Sequence, residues 1–214
     1  MELRIRAFDP NNYATVVITS GGGLASNASR ITDYFNSHGK KIRIEFYCAS
    51  SCADIVFMGA SKVEVADQAL VLFHYTSSYG YESYVRAHGA GNPSHSAKES
   101  KSEQSFYLAH KMDQNFLYKI AYSVAPFCVE RLKSDEAETV VYYRIAWAVP
   151  SRSEVETYRG KFSGYWPSSP AEVGQAMADR GMLAKGQTIK YGMLNTFQFV
   201  HLCPANHSAI ATLR

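Results

Sequence analysis

The chain has 214 residues, roughly the length of one domain. With 46% hydrophobic and 19% charged residues, 14 Gly and 7 Pro, it is not a wholly disordered, collagen-like or coiled-coil chain. Twenty-two Lys and Arg against 19 Asp and Glu leave a formal charge of +3; the densest basic cluster is only Lys40, Lys41 and Arg43, which argues against a nucleic-acid partner.

Met1 to Pro10 carries Glu2, Arg4, Arg6 and Asp9 and no apolar stretch like that of a signal peptide. The sequence as written therefore reads as cytoplasmic, and a periplasmic location would need a leader upstream. The first element is Ala14 to Thr19, a short β-branched run expected to form a buried strand. It ends in Ser20-Gly21-Gly22-Gly23, after which Leu24, Ala28, Ile31 and Phe35 recur at helical spacing up to a stop at Gly39. Lys41 to Phe46 alternates as a strand with Ile42, Ile44 and Phe46 on one face. Cys48-Ala49-Ser50-Ser51-Cys52 then turns the chain into a helix from Ala53 to about Met58. Strands at Lys62 to Val65 and Ala69 to His74 follow. This order argues for parallel strands with crossover helices, an α/β fold.

Ser77 to Ser100 reads as a long loop rich in Gly, Ser, Tyr and His, and the aromatic run Tyr75, Tyr79, Tyr81 and Tyr84 lines either a groove or the surface. Helices are expected from Glu103 to Ala121, Phe127 to Leu132 and Ala137 to Ala148, giving a helical C-terminal half. Another starts at the Trp166-Pro167-Ser168-Ser169-Pro170 segment and ends at Arg180-Gly181. Phe106, Phe116, Leu117 and Ile120 make either a core stripe or an oligomer contact. The domain core is placed at about residues 14–185, with 186–214 a C-terminal extension to which the pattern assigns no element. No window approaches ~18 consecutive apolar residues, so no membrane span is expected.

Cys48 and Cys52 read first as two small buried residues flanking a turn, then as a local disulfide. A zinc site comes last, because no second Cys/His pair stands at ligand spacing. His38, His88, His95, His110, His201 and His207 lack metalloprotease spacing and read as surface or loop residues. Neither metal nor cofactor is expected.

Three features carry possible chemistry. The glycine run could present amides to an oxyanion, although a plain turn explains it as well; it lacks both the P-loop ending and the dinucleotide glycine pattern. Ser50 stands at a strand-to-helix turn, where it is either a helix cap or a nucleophile. His74 ends an apolar strand, where it is either a hydrogen-bonded rim residue or a base. All three fall at the carboxyl ends of neighbouring expected strands, where α/β sheets bind ligands.

The glycine turn resembles the S-P-G-G turn of the Clp protease proteolytic subunit, and Cys48 to Ala53 resembles that family's A-A-S-M-G-A nucleophile segment. Trp166 to Leu183 is similar to its F-L-S-A-x-E-A…G-L-V segment, and the 24-residue step from Ser50 to His74 also fits. The C-A-S-x-C turn is closer still to a branch of exported Clp-like proteins within the Clp/crotonase superfamily. The likeness spans about residues 14–77, and 100–185 more loosely. It implies a β-β-α spiral core and a serine peptidase acting on peptides or unfolded segments without a cofactor. It further implies a homo-oligomer and leaves an unfoldase partner open. Ser50 would be the nucleophile, His74 the base, and the amides of Gly23 and Ser51 the oxyanion hole.

Two departures stand out. The family's acid aligns with Gly164, with Asp113, Asp135 and Glu154 the more distant carboxylates, and only about 13 residues precede Ala14 where the family has a further strand and helix. The alternatives are a catalytically degenerate scaffold or binding protein and a crotonase-like acyl-CoA enzyme.

Overall fold

The structure is a computed structural model that describes residues 13–74, 95–124, 128–133, 138–143, 145–182, 188–192, 194 and 208–209. Its first strand, β1 (Thr15–Ser20), is followed by α1 (Ala25–Ser37), β2 (Lys41–Ala49), the helical segment α2 (Cys52–Phe57), β3 (Val63–Val65) and β4 (Leu70–Leu72). β1, β3 and β4 all run parallel to β2, β3 alongside Ile42–Ile44 and β4 alongside Tyr47–Ala49. Parallel strands require crossovers, and α1 and α2 supply them. Ala25, Ala28, Thr32 and Phe35 recur at helical spacing and turn one face of α1 into the core, against α2.

Phe46 does not follow Ile42 and Ile44 inward. Ile18 pairs with Ile44 but Ser20 pairs with Cys48, so β2 carries two extra residues between these pairs. That bulge breaks the alternation and leaves Phe46 58% exposed, while Cys48 returns to the core. Leu24, expected on the apolar face of α1, is instead the residue before its first turn and is 41% exposed.

The second helix has its own departure. The Met58 amide donates to the Ala53 carbonyl five residues back, so the segment is a π-helix rather than an α-helix. Its end is capped from afar: Arg159 donates from Nε to the Phe57 carbonyl (3.0 Å) and from Nη2 to that of Ala60 (2.9 Å). The same guanidinium lies over the Phe57 ring, 4.8 Å from its centroid.

Beyond β4 the expectations hold less well. Residues 75–94, including the four loop tyrosines and His88, lie outside the described residues. The last six residues of the expected loop belong to α3 (His95–Ala109), and the single helix expected over 103–121 is two, α3 and α4 (Asn115–Val124). The break falls at Lys111, which has φ 55, and at Asp113, whose Oδ1 accepts from the Asn115 amide at the start of α4. Phe106, Phe116, Leu117 and Ile120 are all buried, which makes them core residues.

A helical C-terminal half is incorrect. The stretches expected as helices at 127–132 and 137–148 are β5 (Cys128–Lys133), β6 (Glu138–Tyr143) and β7 (Ile145–Val149). β5 pairs antiparallel with β6 and with β10 (Ser208–Ala209), while β7 runs parallel to β9 (Thr188–Tyr191). The composition explains this: Val140, Val141, Tyr142, Tyr143, Ile145, Trp147 and Val149 are β-branched or aromatic, and such residues suit a pleated sheet better than a helix. Three elements complete the chain: α5 (Arg152–Arg159), β8 (Ser163–Gly164) and α6 (Pro170–Asp179). α5, which the sequence reading missed, starts at Ser151, whose hydroxyl accepts from the Glu154 amide. α6 matches expectation and is capped at its start: Ser169 Oγ accepts from the Glu172 amide, and Glu172 accepts from the amide and hydroxyl of Ser168. Among the described residues no helix is long and apolar enough to cross a membrane.

An aromatic cluster joins the halves. Phe57 packs against Phe73, Phe162 and Trp166 at centroid distances of 6.4, 5.2 and 5.7 Å, and Phe73 meets Phe116 at 5.2 Å. Through Phe73, the residue after β4, this cluster reaches the carboxyl end of that strand.

Candidate functional site

Ser50 follows the last residue of β2, and its amide donates to the Leu72 carbonyl of β4 at 3.1 Å. Immediately afterwards the chain must turn into α2, and Ser50 does so with φ 58. A left-handed conformation costs a residue with a Cβ about 1–2 kcal/mol, so surrounding contacts must hold it there. One such contact comes from the glycine turn. A Cβ on Gly22 would lie 2.5 Å from Ser50 Cβ, 2.7 Å from the Ala49 carbonyl oxygen and 3.0 Å from Ser50 Oγ. Glycine is thus required at position 22 by close approach as well as by its φ of +95.

A second restraint is covalent. Cys48 and Cys52 form a disulfide across the turn, with Cα atoms 5.2 Å apart, and both are buried. The first reading of these cysteines, as two unlinked core residues, is therefore replaced by the second. The spacing allows both, and what decides is that the turn brings the two Cα atoms within disulfide range. The expected capping role of the serines is not seen either. Ser51 is the residue before α2, but its side chain accepts no cap hydrogen bond.

His74 leaves β4 at the same end of the sheet. Ala49 is in register with Leu72, so Ser50 and His74 emerge from adjacent strands within two residues of that pair. His74 is half-buried, and its ring meets Trp147 edge to face at a centroid distance of 5.3 Å. The two amides assigned to an oxyanion hole lie in the two turns themselves. Among the described residues neither the Gly23 nor the Ser51 amide donates to a backbone carbonyl, and a Cβ on Gly23 would meet nothing within 4 Å.

Gly164, aligned with the family's acid, is far from equivalent to one. It pairs with Val65 at the edge of β3, has φ +92, and any Cβ there would lie 1.9 Å from the Val65 carbonyl oxygen. Of the other carboxylates considered, Asp113 caps α4. Glu154 is buried, accepts from the Leu194 amide at 2.8 Å and faces Lys119 at 3.5 Å. Asp135 lies outside the described residues.

Sequence reasoning missed the buried carboxylates on α2 and α3. Glu99 of α3 accepts from both the amide and the hydroxyl of Ser26 at 3.0 Å, which places a buried carboxylate on the N-terminus of α1. Asp54, on α2, is 2% exposed, and its Oδ1 finds no hydrogen-bond partner among the described residues. Its amide donates to the Ser50 carbonyl (2.9 Å), and its own carbonyl accepts from the Tyr107 hydroxyl (2.6 Å). Burial pushes the Asp54 carboxyl well above the ordinary range, and the nearby buried Glu103 pushes it further. No sequence motif marks these groups, because the pairs are 53 and 73 residues apart.

A carboxyl raised on folding favours the protonated native state. Its contribution to stability is therefore greatest below the unfolded pKa of ~3.9 and is lost as pH rises toward the folded value. Asp54→Asn should accordingly stabilise the protein relative to wild type, by a margin that widens as pH increases from 4 to 8. Urea unfolding at the two pH values measures this, and a margin independent of pH would refute the assignment.

The fold and the site together define an α/β protein with a mostly parallel sheet, whose strand ends gather a serine, a glycine turn and a histidine. No protein-family model matches the chain, and neither a curated protein nor a solved structure matches it. Among the described residues no group of three or more His, Cys, Asp or Glu is placed to hold a metal ion.

Proposed function

We propose that the chain is a serine hydrolase of the Clp protease-like type, with the β-β-α spiral of the Clp/crotonase superfamily as its core. The observation that carries this reading is the Ser50 turn. A serine is held in a left-handed conformation between two strands, braced by Gly22, at the sheet end from which His74 emerges. A strained serine on a strand-to-helix turn keeps its hydroxyl clear of its own backbone and beside amides that can receive negative charge.

In the proposed reaction Ser50 Oγ attacks the carbonyl carbon of a peptide bond while the His74 imidazole takes its proton. The oxygen that becomes negative is received by the amides of Gly23 and Ser51. The amine leaves with the proton returned by His74, and water, deprotonated in turn by the imidazole, releases the acyl group from Ser50. The peptide or unfolded-protein substrate and the assembly of several copies belong to the same proposal and rest on the sequence resemblance.

The test is a fluorophosphonate probe. Wild type should acquire one adduct, localised to Ser50 by peptide mass spectrometry, and Ser50→Ala should acquire none. The labelling rate should rise as an imidazole loses its proton; a flat profile between about pH 5 and 8 would remove His74 as base. Gly164 supports one other reading, a scaffold that keeps the fold without turnover. Wild type that acquires no adduct at any pH would favour it.

A further inference from the structure

β4 gives way at Phe73 to a pairing with a different strand. Phe73 and Ala148 of β7 form an antiparallel bridge in which each amide donates to the other's carbonyl, at 2.9 and 2.7 Å. Both residues are fully buried. In antiparallel geometry the next residues, His74 and Trp147, stand opposite each other on the other face, in a non-hydrogen-bonded pair whose side chains approach closely. The rings do meet there, at 5.3 Å between centroids and 70° between planes. β7 is held from its other side as well, since Trp147 and Ala148 pair with Ile189 and Lys190 of β9. The backbone that carries the indole is thus held on one side by the bridge to Phe73 and on the other by the β9 ladder.

A base that passes a proton between a hydroxyl and a leaving group must keep its ring in one orientation. In most such sites a third side chain does this. Position 164 has no room for such a side chain, so residue 164 does not orient the ring. We propose that Trp147 is a positioning residue for His74, holding the imidazole edge to face at the carboxyl end of β4. The indole takes no proton and touches no substrate in this role; it narrows the range of ring orientations and shields one side from water. The catalytic importance of the contact rests on His74 being the base proposed above, but the contact itself can be read without any reaction.

Two measurements on the full chain separate these levels. Imidazolium quenches the emission of an indole it touches, so wild-type fluorescence should show a pH-dependent step. That step should survive Trp166→Phe and disappear in both His74→Asn and Trp147→Phe. A step that persists in either of the latter two, or one that is lost in Trp166→Phe, would overturn the pairing. The second measurement is the rate of fluorophosphonate labelling of Ser50. An aromatic contact of ordinary strength corresponds to about a 2- to 10-fold rate loss in Trp147→Leu, with much of it restored in Trp147→Phe. Because the Phe variant keeps an aromatic ring, it also shows whether the Leu variant suffers only from misfolding. Equal labelling in wild type and Trp147→Leu would overturn the positioning role. Absence of labelling in wild type would refute the hydrolase reading, while the fluorescence step would still decide the pairing.

Discussion

Gly164→Asp should break the edge of the sheet and leave labelling of Ser50 no faster. A restored triad is the opposite outcome, and family resemblance alone would favour it because position 164 aligns with the missing acid. The geometry argues otherwise. The first side-chain atom would lie 1.9 Å from the Val65 carbonyl oxygen and 2.9 Å from the Val65 carbonyl carbon and amide nitrogen. All three are backbone atoms, so no rotamer change can relieve the overlap. The segment is also fastened on both sides: the Tyr165 amide donates to that same Val65 carbonyl at 2.9 Å, and Arg152 donates to the Gly164 carbonyl at 2.9 Å. Steric exclusion adds to the penalty of a φ of +92, for a total of about 3–5 kcal/mol. For a chain of this size that corresponds to a fall in Tm of roughly 6–20 °C, read by thermal unfolding. Gly160→Ala is the control for conformation alone. Gly160 has φ +88 but nothing within 4 Å of a Cβ, so its substitution should cost only about 1–2 kcal/mol. A Gly164→Asp protein as stable as wild type and labelled faster would show that the position does reach the imidazole.

The same residue shows where sequence reading stops. β1, α1, β2, α2, β3 and β4 were legible as elements because each has a short apolar run or period and the stops between them are glycines or polar turns, although β1, expected to be buried, leaves Val17 exposed. Parallel pairing then follows from the strand–helix alternation, and with it the gathering of Ser50, the glycine turn and His74 at one sheet end. What escaped were features fixed by tertiary partners. The bulge that turns Phe46 outward depends on how β1 and β2 register, and the φ of Gly164 depends on Val65. β5, β6 and β7 were misread because their apolar residues also satisfy a helical period over short windows; their β-branched and aromatic content was the better signal. Trp147 could not be connected with His74 at all, since that contact requires β7 to be a strand and to pair antiparallel with Phe73.

Removing the disulfide should loosen the Ser50 turn as well as the whole fold. Chain-entropy reasoning for a closed loop of five residues, Cys48 to Cys52, gives a loss of about 2 kcal/mol in Cys48→Ala/Cys52→Ala. That is equivalent to a Tm lower by roughly 4–8 °C. The double variant is the right comparison because a single replacement would leave a lone thiol in the core. A local effect should accompany this global one. Ser50 keeps its φ of 58 only while its neighbours hold it, and the disulfide spans the two residues on either side of it. The Gly22 contact and the hydrogen bond to Leu72 remain in the variant, so the turn persists but samples relaxed conformations. Fluorophosphonate labelling should therefore slow by about tenfold, the factor matching the 1–2 kcal/mol that a left-handed serine regains on relaxing. Wild type incubated with a dithiol should approach the same rate as the disulfide is exchanged. The two cysteines are buried, so this approach should be slow at low temperature and speed up under mild urea. Labelling that stays at the wild-type rate in both the reduced protein and the double variant would show that Gly22 and the strand register suffice to hold the serine.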